Sequence, residues 1–95
     1  MRFRKKPIEV EAWQWNGRLD HRPEWLSVMT ANPFYEGKIA VGTGHVTRQQ
    51  DKLIIDTLNG TMMVSLTDWI IRGVKGEIYY CSADIFALTY DSVKD

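Results

Sequence analysis

Hydrophobic and polar residues alternate from residue 7 to residue 15. Ile8, Val10, Ala12 and Gln14 fall on one side, and Glu9, Glu11, Trp13 and Trp15 on the other. This period of two predicts a strand, closed by the turn signal Asn16-Gly17. The period then lengthens. Trp25, Leu26, Val28 and Met29 recur as a helical stripe behind Asp20 as a cap, Pro23 at an early helical position and Glu24 in the first turn. A short helix is therefore predicted between Asp20 and the stop signal Asn32-Pro33. Two short β-like pieces follow at 38–41 and 45–47, separated by Gly42-Thr43-Gly44.

The clearest pattern lies further on. Residues 53–58 and 61–66 flank Asn59-Gly60, and Asn-Gly between β-like runs is a strong hairpin signal because both turn positions need positive φ. A two-residue loop there pairs Thr57 with Met62, Ile55 with Val64 and Leu53 with Leu66, and puts those six on one face. The opposite face is mixed: Ile54, Asp56, Leu58, Thr61, Met63 and Ser65. A second hairpin is predicted from Trp69-Ile70-Ile71-Arg72 and Glu77-Ile78-Tyr79-Tyr80 around Gly73-Val74-Lys75-Gly76. Centred on that loop, Arg72 lies opposite Glu77, a pairing worth roughly 0.2–1 kcal/mol. The same register puts Trp69, Ile71, Ile78 and Tyr80 on one face. After Ser82-Ala83-Asp84, Phe86, Leu88 and Tyr90 alternate with Ala87 and Thr89. That predicts a last strand, with a short helical turn over 83–86 as the alternative. The pattern as a whole reads as an α+β, mainly β fold. About six or seven short strands and one short helix are expected, as a small antiparallel sheet or partly closed barrel built from hairpins.

Composition narrows the function classes. The 95 residues form a single domain, 1–95. Twelve basic and twelve acidic residues cancel, which argues against a general nucleic-acid coat. The charge is uneven, with Arg2, Arg4, Lys5 and Lys6 ahead of the first acid. These residues with Phe3 suit either a solvated lead into the first strand or a contact to nucleic acid, and the zero net charge favours the former. One cysteine, Cys81, allows no internal disulfide and suits a reducing cytoplasm. No apolar signal-peptide core and no run approaching about 18 apolar residues occurs. The expectation is a soluble protein of the host-cell cytoplasm, with no membrane partner.

Candidate chemistry is sparse. Cys81 lacks a local base or cation to make it a nucleophile, and a structural role at a strand end is expected. His21, His45 and Cys81 lack the paired spacing of metal ligands, so no metal, cofactor or catalytic residue is expected. Gly42-Thr43-Gly44-His45 reads as a plain loop, with an anion nest as the alternative. Trp13 and Trp15 share a strand face. Both alternatives stay open for them: core, or a stacking platform with Glu9 and Glu11 as polar grips. In the platform reading Trp13, Trp15 and Tyr79 stack a base while Arg72, Lys75 or the basic N-terminus meets phosphate.

Asp68-Trp-Ile-Ile-Arg-Gly-Val-Lys-Gly-Glu-Ile-Tyr-Tyr-Cys81, followed by Asp84-Ile-Phe86 and Thr89-Tyr90, resembles a small family of phage and prophage proteins. The opening Arg2-Phe-Arg-Lys-Lys-Pro7, Val10-Glu-Ala12 and Gln14-Trp15 resembles that family's start. Thr67 stands where the family usually has a turn Gly, and Tyr80 where it has Pro. The resemblance supplies no catalytic or binding residues to carry over. It implies a phage- or prophage-encoded, non-catalytic binding protein directed at the host, which sequesters a small nucleotide-type anionic ligand or binds a host protein. A minor structural or assembly protein is the alternative, and a small hydrolase a more distant one. Self-association is expected in each case, through exposed strand edges.

Overall fold

A computed structural model of the chain describes residues 1–3, 8–28, 43–58 and 60–91. The expectations at 38–41, at Met29 and Asn32-Pro33, at Gly42, at Asn59 and at the basic residues Arg4, Lys5 and Lys6 lie outside the described residues. Among the described residues there are seven strands and one helix: β1 (Glu11–Gln14), β2 (Leu26–Val28), β3 (Gly44–Gln49), β4 (Lys52–Thr57), β5 (Gly60–Val64), β6 (Trp69–Arg72), β7 (Ile78–Cys81) and α1 (Ala83–Thr89). They form a three-stranded antiparallel sheet in the order β1-β6-β7 and a four-stranded sheet in the order β2-β3-β4-β5, whose β2–β3 pair is parallel. The fold is mainly β, as the pattern predicts, and the sheets do not close into a barrel.

One core joins the two sheets. Leu26, Val46, Leu53, Ile55 and Val64 come from the four-stranded sheet, Ile70 and Ile78 from the three-stranded one, and Trp15 and Trp25 from the segments that follow β1 and precede β2. Trp13, Leu19 and Met62 pack against this cluster. Burying side chains of this size contributes about 1.5–3 kcal/mol each. Gly44 is needed for the close approach: a Cβ there would lie 2.9 Å from the Ile55 side chain and 3.2 Å from Leu26.

Four local expectations are corrected. The predicted helix after Asp20 is absent: residues 20–25 are turns, and Leu26–Val28 is a strand paired with Gly44, His45 and Val46. The pairing explains why Trp25 and Leu26 are both buried although adjacent. The last strand is replaced by α1, which runs through the alternative turn at 83–86 and beyond it, with Asp84 in its first turn. Helical geometry puts Phe86 and Tyr90 on one side, where Phe86 stacks on Trp69 at 4.1 Å and Tyr90 on Phe86 at 4.9 Å. The short helix thereby covers the outer face of the three-stranded sheet, and the Tyr79 and Tyr90 hydroxyls meet at 3.0 Å.

The two hairpins are present with altered registers. In β4–β5 the pairs are Ile55 with Met62 and Leu53 with Val64, closed by Thr57 with Gly60, a shift of two residues. In β6–β7 Arg72 pairs with Ile78 and Ile71 with Tyr79, a shift of one. Its loop is Val74-Lys75-Gly76, with the Gly73 N–H donating to the Glu77 carbonyl at 2.8 Å and the Gly76 N–H to the Gly73 carbonyl at 3.0 Å. Gly76, at φ +83°, takes the left-handed position that a three-residue loop requires.

Candidate functional site

Arg72 ends β6, and the register sets its side chain on the core-side face beside Glu11 of β1 and Ile78 of β7. The Arg72 Nη1–Glu11 Oε2 distance is 3.7 Å, too long for a hydrogen bond. The Arg72 side chain is 37% exposed, yet its Nε is fully covered and has no hydrogen-bond partner. Opposite lies the turn that leads into β2. Together Glu11, Pro23, Glu24, Trp25, Thr43 and Arg72 line an open cleft of about 490 Å³, within the roughly 300–1,000 Å³ typical of small-molecule sites. A second hollow of about 320 Å³ lies on the other side of the Glu11–Arg72 pair, lined also by Glu9, Val10, Gly73 and Val74. The cleft therefore carries one loosely paired cation and, on two different segments, two carboxylates.

The five residues singled out from the sequence do not converge. Trp15 is fully buried and donates its indole N–H to the Asp51 carbonyl at 2.8 Å. No base can stack on it, so its place in a stacking platform is corrected to core. Trp13 lies 6.0 Å from it, ring centre to ring centre, and packs against the same core. Tyr79 sits on the opposite face of its sheet from Arg72, against Tyr90. Burial and that hydroxyl contact push its phenol well above the ordinary range, so it stays protonated. Lys75 is at the exposed tip of the β6–β7 loop, where its backbone N–H donates to the Glu77 carboxylate at 3.0 Å. Glu77 thus caps its own loop instead of facing Arg72 across the strands. Arg72 alone of the five borders the cleft. No protein-family model, curated protein or solved structure matches the chain.

The other candidates stay apart. Cys81 is half-buried on β7. Burial, then the carboxylates of Asp68 and Asp84, push its thiol up, which opposes the thiolate a nucleophile needs. His45 lies on β3, in the other sheet, and His21 in the turn before β2. Among the described residues no group of three His, Cys, Asp or Glu side chains is placed to hold a metal ion, and no helix is long and apolar enough to cross a membrane.

Local signals explain part of what the sequence reading missed. Glu11 is legible as a polar grip at the start of β1. Glu24 and Trp25 read as the first turn of a helix, which concealed that they form a wall. Only the non-local pairings of β1 with β6 and of β2 with β3 bring these residues round Arg72.

Proposed function

We propose that the chain is a non-catalytic binding module, and that the cleft between Glu11, Glu24 and Arg72 holds its ligand, with Arg72 gripping an anionic group. The condition of Arg72 carries this reading. Its guanidinium is charged at all ordinary pH. Its one ion pair among the described residues is the 3.7 Å approach of Glu11, and its covered Nε–H donates to nothing. A covered donor left without a partner costs about 1–3 kcal/mol. The terminal Nη groups of the same guanidinium, held only by that long approach, are the part a ligand carboxylate or phosphate can take as a fork. The cleft's size suits a small molecule better than a protein surface. The resemblance to phage and prophage proteins supports a host-directed role, in which a small metabolite or signalling molecule of the host cell is sequestered.

Native mass spectrometry of the chain, purified gently from bacterial cytosol, tests this. The expected spectrum has a discrete added mass of a few hundred daltons that disappears on denaturation and is missing from Arg72→Ala. The same adduct on wild type and Arg72→Ala would place the ligand elsewhere and overturn the assignment of the cleft.

A further inference from the structure

The charge balance of the cleft deepens that reading and rests on it. Against the single cation Arg72 stand Glu11 and Glu24 in the same cleft, with Glu9 in the adjoining hollow. A purely anionic ligand, such as a nucleotide, gains one favourable charge there and meets two unfavourable ones, with a third close by in the adjoining hollow. A purely cationic ligand leaves the guanidinium unmatched. Neither Glu9 nor Glu24 has an ion-pair or hydrogen-bond partner among the described residues, whereas Arg72 makes only its long approach to Glu11. Both signs are thus under-used within one cleft and held on separate segments, β6 for the cation and the β2-leading turn for Glu24. Trp25, 7% exposed, adds an apolar part to the lining.

We infer that the ligand is a small zwitterion of the α-amino-acid class. Its carboxylate lies on the Arg72 fork, and its ammonium lies between Glu11 and Glu24. The geometry of Arg favours a carboxylate taken by two parallel N–H donors. An ammonium with three donors can use both carboxylates at once. Sequestration then acts on a free amino acid or a close derivative.

The test is an NMR titration of ¹⁵N-labelled full-length chain, reading the Arg72 Nε–H and the Trp25 indole N–H. The probes are the twenty standard L-amino acids, then the N-acetyl and decarboxylated forms of the best one, and inorganic phosphate and AMP as pure anions. The expected result is saturable shifts at both reporters with at least one amino acid. Each blocked form is expected to bind about tenfold more weakly or worse, the scale of one lost charge-assisted hydrogen bond. Glu24→Gln, an exposed change that spares the core, should weaken the amino acid to a similar degree and strengthen AMP. Binding of AMP or phosphate at Arg72 more tightly than any amino acid would overturn the zwitterion and leave the binding module standing. If no probe moves either reporter, the zwitterion is overturned, and a wild-type mass adduct that depends on Arg72 then decides whether the binding module survives.

Discussion

The two hairpins differ in how their sequence relates to their register. In β4–β5 the pairing lies two residues from the predicted one, and the paired side chains keep their predicted faces, with only Leu66 left beyond β5 and exposed. Leu53, Ile55 and Val64 are fully buried, while Met63 on the other face is half exposed. In β6–β7 the pairing lies one residue away, and the predicted face is broken. Trp69 and Ile71 share a face with Tyr79 and Cys81, while Ile78 and Tyr80 join Ile70 and Arg72. Strand side chains repeat every two residues, so an even slip is harmless and an odd slip exchanges the faces. Strand β6 permits the odd error because Ile70 and Ile71 are buried on opposite faces, one by the core and one by Phe86 of α1 and Tyr90 at its end. A strand buried on both sides reads as a continuous apolar run and carries no alternation to fix its register.

Alanine scanning of neighbours is the strongest way to break this contrast. In β4, Ile55→Ala is expected to cost about 2–5 kcal/mol, whereas Ile54→Ala, on the partly exposed face, should cost about 1 kcal/mol. In β6, where Ile70 and Ile71 are both fully buried, both alanine variants should cost about 2–5 kcal/mol. Urea unfolding at fixed pH reads all four. A cheap Ile71→Ala would show that α1 leaves that face wet.

Two turn positions sharpen the comparison at a smaller scale. Gly76 holds the three-residue loop at φ +83°, so Gly76→Ala should cost about 1–2 kcal/mol. Thr67 sits at φ +73°, a conformation unfavourable for a β-branched residue. Thr67→Gly should therefore raise stability by up to about 1 kcal/mol, since glycine's extra freedom in the unfolded chain offsets part of the gain. Midpoints of thermal unfolding, compared at one scan rate, should move in opposite directions for the two variants.

The smallest effect concerns pH. The Ser82 hydroxyl first, then the backbone N–H groups of Ile85 and of Asp84 itself, hold the Asp84 carboxyl below its usual 3.8. A carboxylate depressed by folding adds stability above its unfolded value and loses it as pH falls through the folded one. α1 should therefore loosen from the three-stranded sheet only below about pH 4. Trp fluorescence between pH 5 and pH 2.5 should show a step that Asp84→Asn reduces. An unchanged step would assign it to another acid, such as Asp20, held low by its backbone hydrogen bond and Arg18.

Legibility followed the reach of the interactions. The β4–β5 hairpin was readable because its determinants are neighbours in the chain. β2 was not, because Pro23 and Glu24 satisfy the local rules for a helix start while the partner that makes a strand, Gly44 to Val46, lies beyond a long intervening segment. Non-local pairing overrides such weak propensities. α1 was half readable: Ser82 and Asp84 suit a helix start, but Phe86, Leu88 and Tyr90 also alternate. Phe86 and Tyr90 share one helical face, and Leu88 is left 86% exposed. At the cleft Arg72 was legible as a cation at a strand end, whereas its carboxylate neighbour depended on β1 crossing to β6.

That crossing also bears on synthesis. β1 is made well before β6, its one hydrogen-bonded neighbour among the described residues, with Glu11 meeting Arg72. Trp15 likewise waits: its backbone N–H bonds the Asp68 carbonyl at 2.9 Å, and its carbonyl accepts the Thr67 N–H at 2.9 Å. Until residues 67–72 leave the ribosome, the indoles of Trp13 and Trp15 have no sheet to enter. Strands β3, β4 and β5, by contrast, close through hairpins of neighbouring strands, since short loops close at lower entropic cost than long ones. The nascent chain therefore carries an exposed aromatic segment for as long as the residues between β1 and β6 are being made.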